Sequence, residues 1–163
     1  MLAGLRLQFI EERKDMVIHR TDSGTLGFLR LVEKLDEFLA KINGEDHSFY
    51  NRFNSLDTIR NVVVVYDGDE PVSCGAFKRF DDGSCEIKRM FTEPSHRGRG
   101  LAGIVLDELE KWARESGYVS TVLETSVKLE AAKNLYLRKG YCRIDNYGQY
   151  RDAPDSLCFR KKL

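Results

Sequence analysis

The sequence has no excess of charge of either sign: Lys plus Arg and Asp plus Glu each number 26 in 163 residues. No long-range field draws it to nucleic acid or to an acidic membrane, so neither is expected as a partner. Any bound anion must be held by a local site. Cysteine is sparse, with only Cys74, Cys85, Cys142 and Cys158. They form no C-x-x-C pair and no Cys/His zinc pattern, so no metal is expected, and free thiols suit a cytoplasmic protein. Proline is rarer still, at three residues. Linkers, low-complexity stretches and internal repeats are missing, which leaves a single domain. No apolar run approaches the roughly 18 residues of a membrane span. The opening MLAGLRLQFIEERKDM has too short an apolar stretch for a signal peptide and no small-residue cleavage site. Residues 1–15 read as a peripheral extension of a domain covering 16–163, and Met16 is a second plausible start. No G-x-x-x-x-G-K-[ST] occurs, which excludes a P-loop.

What is present is patterning. Apolar residues make up 42% and charged residues 32%, the balance of a globular chain with a real core. VIHR (17–20) is short and β-prone, and TDSGT (21–25) supplies helix-capping oxygens. Leu26, Leu29, Val32, Leu35, Leu39 and Ile42 then recur at helical spacing until Gly44. HSFYNRFNSLDTIR (47–60) reads as a second short helix or a structured loop. NVVVVYD (61–67), VSCGAFKRF (72–80) and SCEIKRMFT (84–92) form an antiparallel meander with Asp-Gly turns. A helix covers 101–116, a strand 119–125, an Ala/Leu-rich helix 129–140, and two last strands 141–144 and 156–163. The order β-α-α-β-β-β-α-β-α-β-β predicts an α/β fold, a mixed, mostly antiparallel sheet with helices on both faces and one parallel crossover between 84–92 and 119–125.

The stretch HRGRGLAG (96–103) carries two overlapping motifs. Gly98, Gly100 and Gly103 spell G-x-G-x-x-G, a dinucleotide fingerprint, with Glu124 about 20 residues on as the acidic partner. Three features oppose that reading. Five residues separate the glycines from the strand. That strand, EIKRMF, is too polar for the buried first strand of a dinucleotide fold. Too little chain follows Glu124 for repeated βαβ units. The second motif, Arg97-Gly98-Arg99-Gly100-Leu101-Ala102, opens a helix whose first N–H groups lack partners and face any bound phosphate. Gly98 and Gly100 remove side chains that block close approach, and Arg97 and Arg99 can add charge-assisted bonds.

EIKRMFTEPSHRGRGLA resembles the central motif of the GNAT superfamily of acyl-CoA N-acyltransferases, whose signature is [QR]-x-x-G-x-[GA] after a strand and a Pro-containing loop. AKNLYLRKGY (132–141) resembles the family's second signature, A-x-x-L-Y-x-x-x-G-[FY]. The resemblance covers most of 17–163. It implies an N-acetyltransferase that moves an acetyl group from acetyl-CoA to a primary amine by direct attack in a ternary complex. The acceptor would be a small molecule or a peptide, with a homodimer left open.

The resemblance also implies roles. Glu86, on the strand feeding the cradle, is the candidate general base, and Tyr136 the candidate general acid beside the CoA sulfur. Backbone groups at Met90, Phe91 and Thr92 would pair with the pantetheine arm, and one N–H there would face the thioester oxygen. Arg97, Gly98, Arg99, Gly100, Leu101 and Ala102 would hold the pyrophosphate. Many relatives carry an Asn seven residues before the Tyr. Leu129 stands there, so Ser126 or Asn134 is the expected replacement. The acceptor site is expected from the most variable parts of the fold: His47, Phe49, Tyr50 and Phe53 on one side, Tyr147 and Tyr150 on the other. Two rival readings remain, a non-catalytic acyl-CoA sensor on the same fold and a nicotinamide oxidoreductase.

Overall fold

The computed structural model describes residues 15–163. The reading of 1–15 as a peripheral extension therefore lies outside the described residues, apart from Asp15.

Seven strands form one sheet in the order β1-β2-β3-β4-β5-β7-β6. They are β1 (Met16–Thr21), β2 (Asn61–Asp67), β3 (Glu70–Arg79), β4 (Ser84–Thr92), β5 (Ser120–Ser126), β6 (Cys142–Ile144) and β7 (Ser156–Lys162). The helices are α1 (Leu26–Asn43), α2 (His47–Asn51), α3 (Leu101–Glu115) and α4 (Glu130–Arg138). Only β4 and β5 pair in parallel among the described strands. The order of elements is the one expected from the sequence, and the sheet order leaves no place for the doubly wound parallel sheet of a dinucleotide fold.

β2 is apolar on both sides because both sides are covered. Val63 and Val65 join a core with Leu101, Val105, Leu106 and Leu109 of α3 and Tyr136 of α4. Val62 and Val64 join a second core with Phe28, Leu31, Val32 and Leu35 of α1. Those α1 residues recur at i, i+3, i+4 and i+7, one stripe of an amphipathic helix. Thr25 sits at the helix start, but its hydroxyl meets Thr21 and makes no cap bond, and Asp22 bonds the Gly24 N–H instead. The expected capping chemistry thus serves the turn before the helix. Gly44 closes α1 at φ 53°.

The cysteines Cys74, Cys85 and Cys158 are buried, Cys142 is exposed, and all four are free. Cys74 and Cys85 belong to different cores, so the hairpin does not bring them together. Of the cations that end the chain in Arg160-Lys161-Lys162, whose run in the sequence reads as a solvated strand end, Arg160 and Lys161 are partnered. Arg160 Nη1 donates to Ser120 Oγ at 2.9 Å and Lys161 Nζ to Glu110 Oε2 at 2.7 Å. β7 lies between two strands, so its polar residues meet the sheet and α3 before they reach water.

Candidate functional site

Two departures from regular pairing build the site. The first lies in β4. Ala76 pairs with Lys88 and Cys74 with Phe91, so one extra residue is accommodated between them. Arg89 takes φ 59°, the only positive φ at a non-glycine among the described residues. This is a β-bulge. Ile87 and Met90 face the α3 core and Phe91 faces the α1 core, an alternation that needs one extra residue. Opposite the bulge, a Cβ on Gly75 would come within 2.3 Å of the Met90 sulfur and 2.9 Å of Val105 and Leu109. Any side chain there would displace these three apolar ends.

The second departure lies between β4 and β5. Their parallel ladder runs Ser84–Ser120, Cys85–Thr121, Glu86–Val122 and then stops, although both strands continue. Beyond Glu86 the facing backbone edges no longer pair with each other. A cavity of about 660 Å³ occupies this gap, and Met90, Phe91, Thr92, Ser126 and Tyr136 line it. At its mouth the chain turns through Gly98 at φ 77° and Gly100 at φ 78° into α3. Ile104 N is the first amide to bond back, to Gly100 O, so the N–H groups of Leu101, Ala102 and Gly103 have no partner within the helix. His96 fixes the loop, with Nε2 3.0 Å from Asp67 Oδ2. A Cβ on Gly103 would come within 3.1 Å of Lys139 Cε, the end of a flexible side chain.

The predicted binding residues divide. Arg97, Gly98, Gly100, Leu101 and Ala102 line the cavity. The Arg97 Nε donates to Thr92 O at 3.0 Å, and its guanidinium lies over Phe38 and Phe91, so this arginine also shapes the loop. Arg99 lies outside the lining, 4.0 Å from Asp67. Asn134 is exposed on α4 and lies outside it too. Ser126 is the one of the two expected replacements for the missing Asn that stands on the wall.

The predicted catalytic residues reach the same gap. Glu86 is 3% exposed. The Tyr147 hydroxyl donates to its Oε2 at 2.6 Å, and Lys88 Nζ stands 3.9 Å from Oε1. Burial, followed by the Glu86 charge, pushes the Tyr147 phenol upward, which keeps it the donor. Tyr147 thus holds the Glu86 carboxylate in place. Tyr136 is 5% exposed, packs against Tyr141 and Phe159, and is pushed upward by burial and then by Glu124. Tyr50 and Tyr150 line the cavity, whereas His47 does not. Phe49 and Phe53 connect Tyr50 to Tyr150 through edge-to-face contacts.

The sequence reading missed two residues as site groups. Glu124 on β5 lines the cavity, accepts from Ser156 Oγ at 2.8 Å, and is pushed up to about 7 mainly by burial. Lys88 is largely buried, and its ammonium is pushed downward by that burial. Period-2 alternation puts Lys88 on the Glu86 face, and the parallel register puts Glu124 there too. A charge inside the apolar run VSTVLET was the available signal.

Fold and cleft together define the class, an acyltransferase built around a split between two strands. The chain belongs to the acetyltransferase (GNAT) family, whose model matches residues 28–141. The chain is 36% identical over 114 residues to the uncharacterized N-acetyltransferase YsnE of Bacillus subtilis, which covers 66% of the chain and 76% of the relative. It is 30% identical over 138 residues to the IAA acetyltransferase of Azospirillum brasilense, 83% of the chain and 90% of the relative. A solved structure assigned as an acyl-CoA N-acyltransferase from Klebsiella pneumoniae superposes with a TM-score of 0.76 at 27% identity, over 91% of this chain and 97% of that one. A GNAT family acetyltransferase from Elizabethkingia anophelis, solved with acetyl-CoA bound, shares the fold at a TM-score of 0.69 and 18% identity, over 92% and 99% of the two chains.

Proposed function

We propose that this chain transfers an acetyl group from acetyl-CoA to a primary amine that attacks it directly in a ternary complex. One observation carries the reading. The β4–β5 ladder breaks after Glu86, with unpartnered helix N–H groups at the mouth of the gap and two carboxylates within it. The site fits acetyl-CoA. Gly98 and Gly100 let a pyrophosphate approach the amides of Leu101, Ala102 and Gly103, where the helix dipole favours its charge. The unpaired edge of β4 beyond Glu86 offers the pantetheine amides a substitute strand. Acetyl-CoA supplies the thioester, and the protein supplies position and protons.

In this reading the amine nitrogen bonds to the acetyl carbon, the carbon–sulfur bond breaks, and free CoA leaves. A protonated amine has a pKa near 10 and must first lose a proton. Glu86, the base candidate from sequence, has one oxygen bonded by Tyr147 and the other faced by Lys88. Glu124 has one oxygen on Ser156 and titrates near the working pH. The two carboxylates act as a pair, with Glu124 taking the proton and Glu86 steadying the charge beside it. Tyr136, held protonated by burial, gives its proton to the CoA sulfur, and the second proton lost by the attacking nitrogen as the amide forms restores it.

A thiol-release assay with acetyl-CoA and a panel of amines tests the proposal. Glu124→Gln, Glu86→Gln and Tyr136→Phe should each lower kcat by about 10²-fold or more, the usual yield of a positioned acid or base. Unchanged turnover in a variant removes that residue from its role. Tight acetyl-CoA binding without turnover on any amine would favour a sensor instead.

A further inference from the structure

We propose that the acceptor is a free α-amino acid with an apolar or aromatic side chain, held as a zwitterion between Lys88 and Glu124. The inference rests on the acetyltransferase reading and names its substrate class. The register carries it. Glu86 pairs with Val122, so two residues on, Lys88 and Glu124 occupy facing positions on one face of the sheet. There the strands have separated, and Lys88 and Glu124 make no ion pair with each other, although each charge influences the other. The structure thus holds an ammonium and a carboxylate on opposite walls of one gap.

Lys88 also has donor capacity to spare. Its Nζ carries three N–H donors on an 8% exposed side chain, and it donates to Tyr150 Oη at 3.4 Å with Glu86 Oε1 at 3.9 Å. An incoming carboxylate gives this cavity-facing ammonium a short, charge-assisted partner. Arg89, the adjacent cation, is turned toward α1, where its Nη2 meets Asp36 Oδ1 at 2.5 Å and Val32 O at 3.5 Å, while its buried Nε and Nη1 have no hydrogen-bond partner. A carboxylate on Lys88 turns the neighbouring amine of the same molecule toward Glu124. The substrate side chain then meets Leu35, Phe38 and Leu39 of α1 with Tyr50 and Tyr150. Those walls offer apolar and aromatic contact.

The test compares L-phenylalanine and L-leucine with phenethylamine, isopentylamine and phenylalaninamide, all of which lack the carboxylate. Both kcat/KM by thiol release and binding by calorimetry in the presence of CoA are measured. The inference expects an amino acid to exceed its carboxylate-free partner by about tenfold or more, the scale of one charged hydrogen bond. It also expects Lys88→Met to collapse that ratio and Lys88→Arg to keep most of it, with melting curves confirming that both variants fold. Carboxylate-free amines that match the amino acids, or a ratio unchanged in Lys88→Met, would overturn it. If no amine is turned over, the acetyltransferase reading fails by itself. Calorimetry then still decides this one, for it if L-phenylalanine binds at least tenfold tighter than phenethylamine, and against it otherwise.

Discussion

Glu124 shows what one half-buried carboxylate does to both chemistry and stability. Burial raises it from 4.5 to about 7. The folded protein therefore keeps a proton that the unfolded chain releases between about pH 4.5 and 7. More protons bound in the native state mean that stability falls as pH rises through this window. Melting temperatures at pH 5 and pH 8 should therefore differ less in Glu124→Gln than in the wild type. The same titration should appear in catalysis as a rise in kcat/KM with a midpoint near pH 7 that Glu124→Gln removes. Tyr147 acts through another residue. Tyr147→Phe deletes the bond to Glu86 Oε2 and should lower kcat more than it raises the KM for acetyl-CoA. An effect on KM alone would place Tyr147 in substrate binding instead.

At the scale of elements, two glycines are held by different forces. Gly100 caps α3 at φ 78°, a conformation that costs other residues about 1–2 kcal/mol. Gly100→Ala should raise the KM for acetyl-CoA, because the strain is relieved by turning the cradle amides away. Steady-state kinetics at saturating amine would read this. Gly75 has no positive φ, and its constraint is the Met90 sulfur across the bulge. Gly75→Ala overpacks the core and should cost about 1–3 kcal/mol in denaturant unfolding, with loss of activity as β4 shifts. The motif around Gly98 and Gly100 was legible because its chemistry is local: backbone freedom followed by a helix start. The bulge was not, because an αL arginine inside a strand leaves no signature in composition or period. Lys88 and Arg89 read as adjacent strand cations, and only the register against β3 separates their surroundings.

The whole molecule is one sheet between two cores. Val62 and Val64 face one core and Val63 and Val65 the other, so a single strand is the shared wall of both. Phe28→Ala, in the α1 core, should destabilise by about 3–5 kcal/mol. Trp112 packs against Phe77 in the other core. Its fluorescence should nevertheless melt together with far-UV circular dichroism in that variant, as one cooperative unit. Separate transitions would show that the cores unfold independently. The cleft depends on this arrangement, since its walls come from α1, β4, β5, α3 and α4 together.

The sequence alone determined the order of elements, the glycine cradle, and Glu86 and Tyr136 as chemical candidates. The first two follow from spacing along the chain, which periodicity and helix-end chemistry register directly, whereas Glu86 and Tyr136 came from the resemblance to the acetyltransferase signatures. Tertiary structure decided what spacing cannot carry. It removed Asn134 and Arg99 from the cavity lining and tied Tyr147 to Glu86. It set Lys88 against Glu124 across the split. The physical reason is that burial and strand register are properties of neighbours far apart in sequence. A charge acquires its shifted titration, and its partner, only once the sheet has placed them.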